Sequence, residues 1–488
     1  MKAIKFLGNL LAGGLLIACS DKGLLEPELD SNLYQIINGD TVKVRSDQSL
    51  GSFGKNTSSI DLRIFYGDTT VIYKKFPVSG NATKKPDLSK IKNISEAGEP
   101  FRMIAVGGAV AAGVRDGGYF NEGLETSFPN LIANQMGVDF RQPYFSAEDY
   151  NGYGRAVSTN LNLTGGPVPK FKEISNNTAY LKKGNNGESE LKPFLGERND
   201  NFATPEFTSF DTDLIDDNNV YIKSIAFKRF KNIDQKTKTP TEIILKEKFD
   251  FIIVADGLGI MPNGYNPISD RVSPKGFEGY ENRKPKWFSD YRADYSSRLN
   301  FLLQLKERRG LKGLMFTIPN SFKFPFLNFI TKEDVLKQLD LYARRSLFFD
   351  DLKTILPTSR IDSLMGKNVK ISLKPFINDN RKFFYTEGLT VDKSNLSGFI
   401  DRNNETINVA KALNFAVVDL YNIYENIFNS TYTTHDGVLI TSKEFFSSDG
   451  IHPSVIGQVV IANESIAALN KYYGLSIELI PTKIFFVK

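Results

Sequence analysis

The sequence predicts an α/β protein built on a parallel sheet, and three observations lead there. Short apolar runs suited to buried strands recur at Phe101 to Val106, Phe249 to Val254, Leu314 to Ile318 and Phe415 to Leu420. Segments of helical periodicity alternate with them, most of them stopped by glycine or proline. The chain has 488 residues, 41% hydrophobic and 24% charged, which suffices for a sizeable core and for more than one typical domain or one with large insertions.

Each element has a local reason. The first strand runs into Gly107 and Gly108, a turn signal. Thr126 or Ser127 is placed to cap a helix whose apolar positions Phe128, Leu131, Ile132 and Met136 share one face and which stops at Gly137. Ser296 to Arg309 reads as an amphipathic helix carrying Leu299, Leu302 and Leu303, with Arg308 and Arg309 in its last turn and Gly310 beyond. Pro319 stops the strand from Leu314. A helix over Glu405 to Leu413 precedes the strand at Phe415, and a last helix runs from Pro453 to Tyr472 with Gly474 after it.

Two stretches interrupt this alternation. Arg141 to Lys248 is polar and Asn-rich, too long for an ordinary connection. Asn320 to Gly398 holds a helix in which Thr331 caps Val335, Leu336, Leu339 and Tyr342, and a second helix reaching Met365. Insertions that follow the strands of such a sheet stand over its carboxyl edge, where ligands bind, so both are expected to be lids or docking elements.

The N-terminus reads as an export signal. Lys2 and Lys5 precede an apolar stretch from Phe6 to Ala18 that is too short to span a bilayer. Leu16-Ile17-Ala18-Cys19 resembles a bacterial lipobox, which implies cleavage of residues 1–18 and acylation of Cys19. A chain so modified is anchored to a membrane surface without crossing it. Cys19 is the single cysteine, so no intramolecular disulfide forms. Residues 19–98 are expected to be a tether with a small β unit, residues 99–476 the main domain, and residues 477–488 a tail. In the β unit, Thr41 to Val44 alternates like a strand, and Asp61 to Tyr66 and Thr69 to Tyr73 flank the turn Gly67-Asp68. Asn81 to Pro100 reads as a linker. Losing Lys2 and Lys5 lowers the formal charge from +5 to +3, with Lys and Arg interleaved among acids, so nothing points to nucleic acid.

The run Met103 to Gly113 resembles the first block of the SGNH (GDSL-like) hydrolases, where a strand ends in Gly-Asp/Asn-Ser and the serine attacks an ester. Here those last two positions are Gly108 and Ala109. Asp449-Gly450-Ile451-His452-Pro453 resembles the final block, in which the histidine is the general base and the aspartate orients it. Glu122 to Gly137, Gly313 to Asn328 and Gly437 to Gly474 also look like segments of Bacteroidetes-type SGNH lipoproteins. The resemblance spans most of Phe101 to Gly474 outside the two insertions. It implies a flavodoxin-like three-layer α/β/α sandwich.

The departures fall where charge would develop. The second block corresponds to Asn201 to Glu206 and puts Glu206 in place of an oxyanion-hole glycine, where a carboxylate is repulsive. The third corresponds to Ala255 to Gly259 and puts Gly257 in place of the donor asparagine. The Ala109 methyl neither attacks a carbonyl nor passes a proton, and losing a nucleophile typically costs on the order of a million-fold. The expectation is a catalytically inactive outer-membrane lipoprotein, on the periplasmic or external face, that needs no cofactor. Its role would be binding or scaffolding beside a β-barrel or surface-complex protein, with a lipid or glycan as ligand. The alternative is a residual or altered esterase using Asp449 and His452.

Plainer readings stand beside these. Asp449 and His452 also suit a hydrogen-bonded turn, Gly107 and Gly113 are turn glycines, and Ser127 is a helix cap and not a displaced nucleophile. Asp256-Gly257-Leu258-Gly259 lacks the Lys-Ser/Thr of a phosphate loop. Glu206, Asp256 and Asp449 are joined by one histidine only, a poor metal set. The other histidine, His435, has no comparable context.

Overall fold

The computed structural model describes residues 34–37, 40–43, 63–66, 70–73, 82, 84–93, 99–158, 171–173, 177–183, 189–194, 196–205, 229, 240–258, 298, 301–308, 310–325, 369–373, 386–390, 393–447 and 449–485. Cys19, Glu206 and the helices expected near Thr331 and Met365 lie outside these residues.

Four parallel strands form the central sheet: β1 (Met103–Gly107), β2 (Phe251–Ala255), β3 (Lys312–Phe316) and β4 (Ala416–Val418). Their spatial order is β4-β3-β2-β1, with Met103 level with Phe251 and Phe251 level with Lys312. Near-continuous apolar sequence suits strands buried on both faces. Met103, Ala105, Ile253, Leu314 and Phe316 point into one core cluster, while Ile104, Val106, Ile252, Val254 and Met315 point into the other. This is the period of two along each strand.

Helices cover both faces. Helices α1 (Phe128–Met136), α4 (Leu420–Phe428) and α5 (Val455–Tyr473) fill the first face through Leu131, Ile427, Val459 and Ile466. The second face is covered by α2 (Pro240–Lys246), by helical residues 301–306 and by the C-terminal half of α3 (Lys393–Leu413), through Ile244, Phe301, Leu305 and Ala410. Gly137 and Gly474 end their helices in the left-handed region, as the sequence predicts.

Three boundaries differ from the sequence reading. Within the presumed insertion at 141–248, residues 200–204 run parallel to β1 at the sheet edge: Phe202 N donates to Ala105 O at 2.7 Å and Thr204 N to Gly107 O at 3.1 Å. Helix α2 also falls there, so this stretch is partly core. Helix α3 starts at Lys393, twelve residues before the expected Glu405; Ser394, Asn395, Ser397 and Gly398 are weak helix formers that hid its first turns. Finally, the packed body reaches past residues 99–476: Ile91 and Ile480 are fully buried in the main core, and Phe485 nearly so.

The N-terminal β unit forms as two antiparallel hairpins, Tyr34–Ile37 with Asp40–Lys43 and Arg63–Tyr66 with Thr70–Tyr73. Among the described residues no helix is long and apolar enough to cross a membrane.

Candidate functional site

The carboxyl end of β1 opens into a glycine turn. Gly107 has φ +142°, and a side chain there would come within 2.3 Å of Ala255 O; Gly113 has φ +77° and meets Gly123 O at 2.1 Å. Both are turn glycines that no other residue replaces. Between them the chain makes a helical turn in which Val114 N donates to Ala109 O at 2.9 Å. The Ala109 methyl is largely buried in the first core cluster.

The loop then reverses at Arg115 to Gly118. Asp116 and Gly117 have φ of 58° and 66°, the signature of a two-residue type I′ turn. Its buried amides bind the C-terminal motif: Asp116 N donates to Ser447 Oγ at 3.0 Å and Gly117 N to Asp449 Oδ2 at 2.8 Å.

The motif itself is a closed turn. Ser447 N donates to His452 O at 2.8 Å, Gly450 takes a left-handed φ of 67°, and Ser454 caps α5 through Gly457 N. Asp449 Oδ1 accepts from Ile451 N and His452 N, both at 2.9 Å, and Oδ2 faces His452 Nδ1 at 2.8 Å. Burial alone would raise the Asp449 pKa. The His452 imidazole and the two amides outweigh that and hold the carboxyl well below the usual carboxylate range. An ionised Asp449 fixes the proton on Nδ1 and leaves Nε2 as the acceptor. Nε2 has no hydrogen-bond partner among the described residues.

Gln458, on α5, joins the two halves. Its Nε2 donates to Val110 O at 3.0 Å and its Oε1 accepts from Phe128 N at 2.9 Å. Gln458 thereby caps α1, a role the sequence assigns to Thr126 or Ser127. Ser127 does occupy the N-cap position, but its hydroxyl donates to Leu124 O and accepts from Gln142 Nε2. The serine is fully buried and committed, so it is neither the cap donor nor a spare nucleophile.

The end of β2 turns tightly at Gly257. Gly257 has φ +76°, and a side chain there would lie 3.0 Å from both Arg402 Nη2 and Ile318 Cγ2. Asp256 beside it is buried and paired with Arg298 at 2.6 Å, with Arg402 at 3.6 Å. A side chain at position 257 would press on Arg402 and Ile318 and would take a left-handed φ. His435 is exposed in a surface turn, away from this motif. Among the described residues no three His, Cys, Asp or Glu side chains cluster as metal ligands.

Sequence reasoning missed the frame behind the β1 loop. Buried Arg115 and Arg155 both pair with Glu122, at 2.8 and 3.2 Å, and the Arg155 guanidinium stacks 3.7 Å from the Phe120 ring centroid. Two arginines forty residues apart leave no pattern in a sequence. Comparison with protein-family models, with curated proteins and with solved structures finds no match, so the site is read from its own geometry.

Proposed function

We propose that this chain is a catalytically inactive SGNH-fold lipoprotein, anchored through Cys19 to an outer membrane. It would serve as a binding or scaffolding subunit of a transport, secretion or surface complex, beside an outer-membrane β-barrel or surface protein. The observation that carries the reading is the Asp449–His452 pair, held as in a working base and bonded to the loop after β1, which carries Ala109 instead of a nucleophile. The glycine at position 257 agrees with it, because it offers no side-chain donor to stabilise an oxyanion. Counting the edge segment 200–204, the strand order equals that of the flavodoxin-like folds, which supports the fold the motifs imply. A lipid or glycan is the ligand class of this reading.

The test has two arms. Short-chain esters and acylated glycans should not be turned over, and a fluorophosphonate probe should leave the protein unlabelled. Purification from the native host in mild detergent should retain an outer-membrane protein.

A second reading rests on one observation, a His452 Nε2 with no partner among the described residues, opposite an ionised Asp449. Such a base could activate water and make the chain a residual esterase. Ester hydrolysis that disappears in His452→Ala would establish this reading and overturn the first.

A further inference from the structure

The amino edge of the sheet, opposite the candidate site, collects the helix ends. Arg308 Nη1 donates to Glu247 O at 2.9 Å, Tyr472 to Asn414 Oδ1 at 2.9 Å and Tyr473 to Gly313 O at 2.9 Å, so the ends of α2, residues 301–306, α3 and α5 gather there. Lys246, Lys306, Lys411 and Lys471 stand exposed on those last turns. Acids on this edge offset them only in part. Asp200 and Asp250 are buried, Glu247 is paired with Arg102 and Asp139 with Arg141 and Arg198, and Asp87, Glu99, Glu197 and Glu307 remain exposed.

Lysine at a helix end is already explained by the macrodipole. Two further observations go beyond it. Tyr472 lies about half exposed among these lysines, and an amphipathic ring of that kind favours the headgroup level of a bilayer. The chain also arrives from its N-terminus at this edge: Lys90 Nζ donates to Gly474 O at 2.7 Å and Asn93 N to Asp250 Oδ1 at 2.9 Å.

We infer that this lysine- and tyrosine-bearing edge is a docking face for anionic lipid headgroups. It lies where the tether enters and turns the Asp449–His452 site away from the bilayer. The inference rests on the lipoprotein reading only for the presence of a nearby membrane.

The experiment uses the chain from Ser20 to Lys488, which carries no acyl group and keeps every described residue. It is floated with vesicles of phosphatidylcholine alone and of phosphatidylcholine mixed with phosphatidylglycerol. Binding is expected to the anionic vesicles only, and release as salt shortens the screening length to about 3 Å at about 1 M. Each lysine near such a surface contributes roughly five-fold. Lys306→Gln, Lys411→Gln and Lys471→Gln together should therefore weaken binding on the order of a hundredfold with unchanged circular dichroism. Lys471→Gln alone, the variant least prone to misfold, should weaken it about five-fold. Equal binding to neutral vesicles, no binding to either, or indifference to these substitutions overturns the inference. Acylation of Cys19, followed by metabolic labelling of the full chain, is an independent readout, so failure of the anchor is distinguishable from failure of the docking face.

Discussion

The Gly117 amide donates to Asp449 Oδ2 at 2.8 Å across 332 residues of sequence, and the same oxygen receives His452 Nδ1. The loop after the first strand thus helps to fix the carboxylate that orients His452. With Ile451 N and His452 N on the other oxygen, the carboxylate is saturated by four donors.

Asp449→Asn should cost about 2 kcal/mol, because the amide nitrogen faces donors that the carboxylate accepted. The wild-type chain should also lose stability in acid. The folded carboxyl titrates below its unfolded value of about 3.9, so its contribution is fully present above that pH and is lost as pH falls toward the folded value. Acid unfolding followed by circular dichroism should be flatter below about pH 4 in the variant. Identical acid profiles would contradict this account.

Gln458→Leu should destabilise by about 3 kcal/mol, since Phe128 N and Val110 O both lose a buried partner. Urea denaturation measures it. A change within about 0.5 kcal/mol would mean that the α1 cap matters little.

Two glycine substitutions should separate conformation from contact. Gly437→Ala, with φ +83° and nothing within 4 Å, should cost about 1 kcal/mol. Gly113→Ala adds a collision with Gly123 O at 2.1 Å, so it should cost more than about 3 kcal/mol or prevent folding. Similar midpoints for the two variants would remove the contact argument.

On the proposed reading, Ala109→Ser should leave ester hydrolysis at the level of buffer, because Gly257 supplies no side-chain donor to an oxyanion. Stopped assays with a nitrophenyl ester decide it. Turnover that vanishes on adding His452→Ala would show that the serine alone was missing.

Ile480→Ala should cost about 2 to 5 kcal/mol, the range for emptying a buried isoleucine site. A free tail would show no change in melting temperature.

Much of the frame was readable in one dimension, because apolar period and stop residues are local properties. The four strands, the end of α1 at Gly137 and the Asp449-to-His452 turn all follow from neighbours in sequence. The edge segment at Asn201 and helix α2 were hidden in a polar stretch, since a short edge strand has no run of its own. Helix α4 did carry a legible signal, Asp419 followed by Leu420, Tyr424 and Ile427, which the strand reading through Leu420 overran.

By itself the sequence determined that position 109 is an alanine and that Asp449 and His452 stand three residues apart before a helix. Only the tertiary structure decided the rest: Gly117 completes the Asp449 shell, Gln458 replaces Ser127 as the cap, and Arg402 crowds Gly257. These are contacts between residues 145 to 332 positions apart, or 330 for the cap, and no local pattern encodes them. Burial makes each one consequential, because a polar group removed from water must find its partner within the fold.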